Sequence, residues 1–221
     1  MESEIGDDVL TELGRFESPP GPDLALFEHS WEDSGASVIV MVIPFTSLPL
    51  IRVGPAGRLW HAQTGEPWVY RRDLTDDSER RFGLDLPPVP VTEADLAAAL
   101  EPEEELRRVP PPAKYADFVR MIPDTKPPLQ GFFFDDVGRV WIVRTNPDPQ
   151  SERLSIDVYD SDREWVGRAD VGVGLEPMPR VRGDFLAGVV RDELGVESVV
   201  LFRLRFKRRA GLARLPPTPR Q

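Results

Sequence analysis

Residues 134–143 read FDDVGRVWIV and residues 53–62 read VGPAGRLWHA. Each carries Gly-Arg-apolar-Trp directly after a short turn. A second match follows each one, Asp73-Leu74-Thr75-Asp76 and Asp157-Val158-Tyr159-Asp160. A turn-strand-turn-strand unit that recurs after ~80 residues points to stacked β units, because one such unit cannot bury its apolar face alone.

Working outward, four short strands are expected at 48–53, 58–62, 68–74 and 80–86. Turn residues Gly54-Pro55, Gly65-Glu66-Pro67 and Asp76-Asp77-Ser78 separate them. A second set falls at 130–135, 138–144, 153–160 and 164–170, and a shorter unit covers 181–190 and 196–206. Residues 37–45 (SVIVMVIPF) read as a buried β-branched strand, 7–16 as a strand of mixed polarity, and 17–35 as a loop. In 87–118, Thr92 and Asp95 have capping-box spacing, and Leu96, Ala99 and Leu100 share one face. One short helix over 92–100 follows, with PPPAK closing the insertion. The fold class expected is all-β: a partial β-propeller of about three blades (46–86, 119–171, 180–206) with an inserted helix.

The 221 residues carry 27 basic and 38 acidic side chains, a net charge of −11. The tail 207–221 is basic and Pro-rich, reads as disordered, and leaves the rest more acidic still. An acidic body argues against nucleic-acid binding, which relies on Lys and Arg at phosphates. The longest apolar stretch, residues 36–45, is about half the ~20 residues that a membrane helix needs. The opening MESEIGDD lacks the basic and apolar regions of a signal peptide. Cysteine is absent, which removes disulfides, thiolate nucleophiles and Cys-based zinc sites.

The runs GRVWIV, LSIDVYDSDREWVGR and VRGDFLAGVVRDELGVESVVLFRLR together resemble the C-terminal half of bacterial six-bladed β-propeller proteins of the NHL-like type. The match covers residues 46–86 and 119–206. The resemblance implies a fragment of a six-bladed protein, periplasmic or secreted in its full-length form. It also implies a last blade short of one strand. It specifies no function, because propellers host lactonases, lyases, scaffolds and sensors alike.

Candidate chemistry is sparse. His61 takes the place of Ile142 in the repeat, which favours packing over catalysis, and His29 sits in the acidic run EHSWED. Asp76-Asp77, Asp135-Asp136 and Asp160-Ser161-Asp162 fall where hairpin turns are required and lack a calcium-loop pattern. Gly172-Val173-Gly174 lacks the third glycine and helix of a dinucleotide fingerprint. Trp60 and Trp141 read as inter-blade core, and Arg58 and Arg139 as bonds to a neighbouring blade's carbonyls. No catalytic, cofactor-binding or metal residues are assigned. A ligand surface is expected at the loops 63–67, 145–152 and 192–195, with Asn146, Asp148, Asp192 and Glu193 as its polar candidates.

The function expected is a non-catalytic module binding a protein or small ligand. The rival is a propeller-type hydrolase or lactonase with catalytic residues in a missing N-terminal half. Its cation ligands, Glu, Asn and Asp, cannot be assembled here with Asn146 as the only asparagine. An in-frame extension upstream of Met1 with ~3 more repeats would mark a fragment of a full ring.

An open arc leaves sheet faces and edges bare, so the chain made alone is expected to self-associate. Light scattering at ~10 μM checks this, and a stable monomer with cooperative unfolding counts against it.

Overall fold

The computed structural model describes residues 20–31, 35–100, 112–148, 151, 153–172, 175–192 and 194–204. The strand expected at 7–16, the tail 207–221 and Glu193 lie outside them.

Among the described residues the chain is mostly β, in antiparallel sheets of two to four strands, with two α-helices. A hairpin of β1 (Leu24–Trp31) and β2 (Gly35–Val42) comes first. The first four-stranded sheet follows in plain meander order: β3 (Pro49–Val53), β4 (Leu59–Gln63), β5 (Trp68–Arg72) and β6 (Glu79–Gly83). A two-residue clasp of β7 (Val89–Pro90) with β8 (Thr125–Lys126) closes the base of an insertion. The insertion holds α1 (Glu93–Leu100) and α2 (Pro112–Met121). The second sheet repeats the meander with β9 (Leu129–Phe134), β10 (Val140–Arg144), β11 (Leu154–Tyr159) and β12 (Trp165–Val171). A third sheet has three strands, β13 (Glu176–Arg182), β14 (Phe185–Arg191) and β15 (Glu197–Arg203). The first strands of the three sheets are neighbours, with β9 touching both β3 and β13.

The sheets stack through two apolar layers. Trp60, Ala62, Val69 and Phe82 of the first sheet pack with Leu129, Phe132, Val140, Ile142 and Tyr159 of the second. Phe133, Trp141, Ile156 and Val158 on the opposite face of the second sheet pack with Val181 and Leu186 of the third. Trp60 and Trp141 thus occupy matching inter-sheet cores, as the repeat predicts.

Three of the hairpins share one mechanism. Asp135, Asp160 and Asp192 each donate their own N–H to the carbonyl four residues on. Each accepts, on Oδ1, the amides two and four residues on. The residue three places on has positive φ: Gly138 at 84°, Arg163 at 69° and Gly195 at 78°. This is a three-residue hairpin loop closed by a left-handed residue, with the aspartate binding the amides that the turn exposes.

Several expectations are corrected. Arg71 lies opposite Trp60 and Val158 opposite Trp141, so Asp73 matches Asp160 rather than Asp157, which sits within β11. Residues 17–35 are not all loop, since β1 occupies Leu24–Trp31 and carries His29. β2 is half-buried: Met41 is buried, while Val40 and Val42 are each 56% exposed, because only one face is covered. A second helix exists because Pro112 opens α2, where a missing N–H costs nothing. The helices pack on the β1–β2 hairpin, Leu100, Phe118 and Ile122 meeting Ala25, Met41 and Ile43. The stretch 181–190 is broken at Gly183, φ 58°, into β13 and β14. Arg139 and Arg58 bond carboxylates of their own sheets, Asp135 (2.5 Å) and Asp73 (3.4 Å), not neighbouring carbonyls.

Among the described residues β15 pairs only with β14, and its Val199 and Leu201 are 78% and 65% exposed. No described helix is long and apolar enough to cross a membrane.

One repeat position differs tellingly. Trp141 Nε1 donates to Asp135 Oδ2 at 2.9 Å. In the first sheet Gly54 stands where Asp135 stands, and Trp60 Nε1 is buried with no acceptor among the described residues. The Trp60 ring occupies the space of the missing side chain: a Cβ on Gly54 would lie 2.4 Å from Nε1. Gly54→Ala is therefore expected to destabilise the protein by about 1–3 kcal/mol through overpacking, read as a lower midpoint in urea unfolding.

Candidate functional site

The loops named from sequence come together only in part. Thr64, after β4, meets Asn146, Asp148 and Ser151, after β10, around a pocket of about 450 Å³. Phe45, Leu48 and Leu129 supply apolar wall, and Asp95, Lys126 and Asp148 supply charge. Asp192 stays in the third sheet, where its carboxylate caps its own turn. It is not part of this pocket.

A buried ion pair holds the pocket's floor. Lys126 Nζ donates to Asp95 Oδ1 at 2.8 Å and to the carbonyls of Asn146 and Pro147 at 3.2 and 3.1 Å. The two side chains are only 6% and 3% exposed. Asp95 Oδ2 accepts from both the amide and the hydroxyl of Thr92, each at 2.8 Å, while the Asp95 amide donates back to Thr92 Oγ1 at 3.1 Å. This is the capping box read from the sequence, with the carboxylate doing a second task at Lys126. Burial works against ionisation of Asp95, but the bonds from Lys126 and Thr92 together outweigh it and hold the carboxyl below its ordinary range.

Asn146 is a clamp. Its Nδ2 donates to the carbonyls of Ser151 (2.9 Å) and Arg153 (3.0 Å), and its Oδ1 accepts from the Asp148 amide at 3.0 Å. That use explains why an asparagine, with a donor and an acceptor on one side chain, stands there. Thr46 Oγ1 donates to the Ile43 carbonyl at 3.0 Å, and Thr64 Oγ1 accepts from the Leu48 amide at 2.8 Å. Each of these hydroxyls keeps hydrogen-bonding capacity, Thr46 as acceptor and Thr64 as donor. The Gln130 amide lines the same pocket.

Lys126 is the residue that sequence reasoning missed. The available signal was a lysine in TKPP, directly after an insertion whose capping-box acid is Asp95. His61, by contrast, sits on β4 as expected, stacked 4.8 Å from the Tyr70 ring with Nε2 2.9 Å from Glu79. Among the described residues no three His, Asp or Glu side chains stand close enough to share a metal ion.

A second buried carboxylate pins the second sheet. Asp157, 1% exposed, accepts from Arg144 Nη1 at 2.6 Å and from Arg168 Nε at 2.7 Å. Burial again opposes its charge, and the hydrogen bonds from Arg168 and Arg144 overcome it, lowering the pKa.

No protein-family model matches the chain, and no curated protein matches it.

Removing one partner of the pocket's ion pair strands the other. Lys126→Met is expected to cost about 3–5 kcal/mol, and adding Asp95→Asn should return part of that loss in a double-mutant cycle.

Asp95 and Asp157 have folded-state pKa values below their unfolded ones. The unfolded chain therefore binds more protons, and their stabilisation is present above about pH 4 and lost as pH falls below it. Melting temperature should drop steeply in that range. Asp157→Asn should be less stable at neutral pH and show a shallower acid slope.

Proposed function

We propose that this chain is a non-catalytic small-ligand-binding module built on an arc of β-propeller type. The architectural part is supported by three consecutive meanders whose first strands adjoin, the first two with a tryptophan in equivalent inter-sheet layers. The NHL-like resemblance of residues 46–86 and 119–206 agrees with that arrangement.

The observation that carries the functional part is the pocket of about 450 Å³, which lies within the size range of small-ligand sites. Its lysine and its buried aspartate neutralise each other and are saturated with hydrogen bonds. A carboxylate held ionised by a cation and two donors is a poor proton acceptor, so the pair serves as a rigid floor. What faces a ligand is hydroxyl, amide and apolar surface from Thr46, Thr64, Gln130, Phe45 and Leu48, together with the one further carboxylate, Asp148. Such a lining suits an uncharged polar molecule such as a polyol or sugar.

Thermal shift and calorimetry with a panel of neutral monosaccharides and polyols test this. At least one member is expected to stabilise the wild type, with the effect reduced in Gln130→Leu. A panel without effect on the wild type would sink the reading.

A further inference from the structure

The seam between the first and second sheets carries charge that the next seam does not. Trp60, Arg71 and Arg80 are direct cross-strand neighbours on the face that meets the second sheet. The matching positions of the second sheet are Trp141, Val158 and Gly167. There Val158 is fully buried under the third sheet. A fold that repeats its packing has thus replaced valine and glycine by two arginines in one seam only. Like charges directly opposite on neighbouring strands repel, and nothing in the packing requires them.

A third arginine enters from the second sheet. Arg163, in the β11–β12 turn, places its guanidinium 5.9 Å from the Phe82 ring centroid. Its φ is 69°, and the matching turn positions in the second and third sheets are Gly138 and Gly195. Arginine there accepts a strain that glycine avoids. The Arg71 guanidinium lies 5.9 Å from the Trp60 ring centroid, so stacking on aromatic faces holds two of the three cations in place.

Neighbouring acids do not discharge the group. Asp73 is bonded to Arg58, Asp77 to Arg72 and Glu79 to His61. Arg71, Arg80 and Arg163 have no ion-pair partner among the described residues. Burial, then repulsion from Arg163, Arg58 and Arg80, makes Arg71 a weaker base than an ordinary arginine, with Asp73 only partly opposing.

We propose that Arg71, Arg80 and Arg163 form a binding site for a phosphoryl-type oxyanion in the seam between the first and second sheets. Three guanidinium forks call for at least three acceptor oxygens and more than one negative charge. A phosphoryl group supplies both on one compact centre, whereas a carboxylate has two oxygens and one charge, and a polycarboxylate spreads its charges over a flexible skeleton. In a chain of net charge −11 the attraction has to be local, and a cluster against low-dielectric walls focuses it. The site is separate from the pocket beside Lys126 and does not rest on that reading.

The test is calorimetric titration of the full chain with inorganic pyrophosphate at constant ionic strength, with citrate in parallel. The wild type should bind one pyrophosphate, and citrate more weakly. Arg163→Gly relieves the turn and should fold at least as well by thermal melt, yet bind at least about tenfold more weakly. Arg71→Gln should do the same. Arg203→Gln, in the third sheet and paired with Asp184, should bind like wild type. Absence of wild-type binding, equal binding of citrate, wild-type affinity in both seam variants, or an equal loss in Arg203→Gln would each overturn the proposal.

Discussion

An antiparallel meander with apolar side chains on both faces has to be covered twice, and this requirement governs the molecule. The second sheet meets it fully. Phe132, Val140 and Ile142 look toward the first sheet, and Phe133, Trp141 and Val143 toward the third. Alternation along a strand produces that division without further instruction. The flanking sheets each gain one covered face from it, which is why the deepest burial lies in β9, β10 and β11 while β15 and β6 are mostly exposed. Dispersion and desolvation over these two layers set how the three meander sheets sit against one another.

Turn chemistry then fixes register. An aspartate that takes two backbone amides, followed by a residue tolerant of positive φ, leaves a hairpin few alternative closures. The repeat preserves this device at Asp135, Asp160 and Asp192. Where it is altered, at Gly54, a tryptophan has moved into the vacant volume and lost its acceptor. An unpaired indole N–H is a tolerable defect when the ring gains packing against Phe82 and Phe134.

Strands and turns were legible in the sequence because period-two apolar patterns and Asp/Gly punctuation are local signals. The capping box of α1 was legible for the same reason. What failed was non-local. The helix α2 hides behind three prolines that read equally well as a terminator or as a first turn. β1 contains Glu28, His29 and Ser30, and its strand state depends on pairing with β2 rather than on its own composition. Lys126 looks like any surface lysine until the chain between residues 95 and 126 folds back. Asn146 and Asp148 line a pocket, but the role of Asn146 as a loop clamp follows from backbone geometry that spacing cannot report.

The helical insertion is joined to the sheets through the short β7–β8 clasp, and its apolar contacts go to the β1–β2 hairpin. Among the described residues the core formed there shares none with the two inter-sheet layers. Cooperativity in proteins follows shared contacts, so the hairpin and helices constitute a subglobal unit able to open while the meanders stay intact. Amide exchange would then divide the molecule in two kinetic classes, with β9–β11 at the slow limit and α1 and α2 released earlier. The Lys126–Asp95 bond sits on the boundary between them, and its rupture would be the elementary event of that opening.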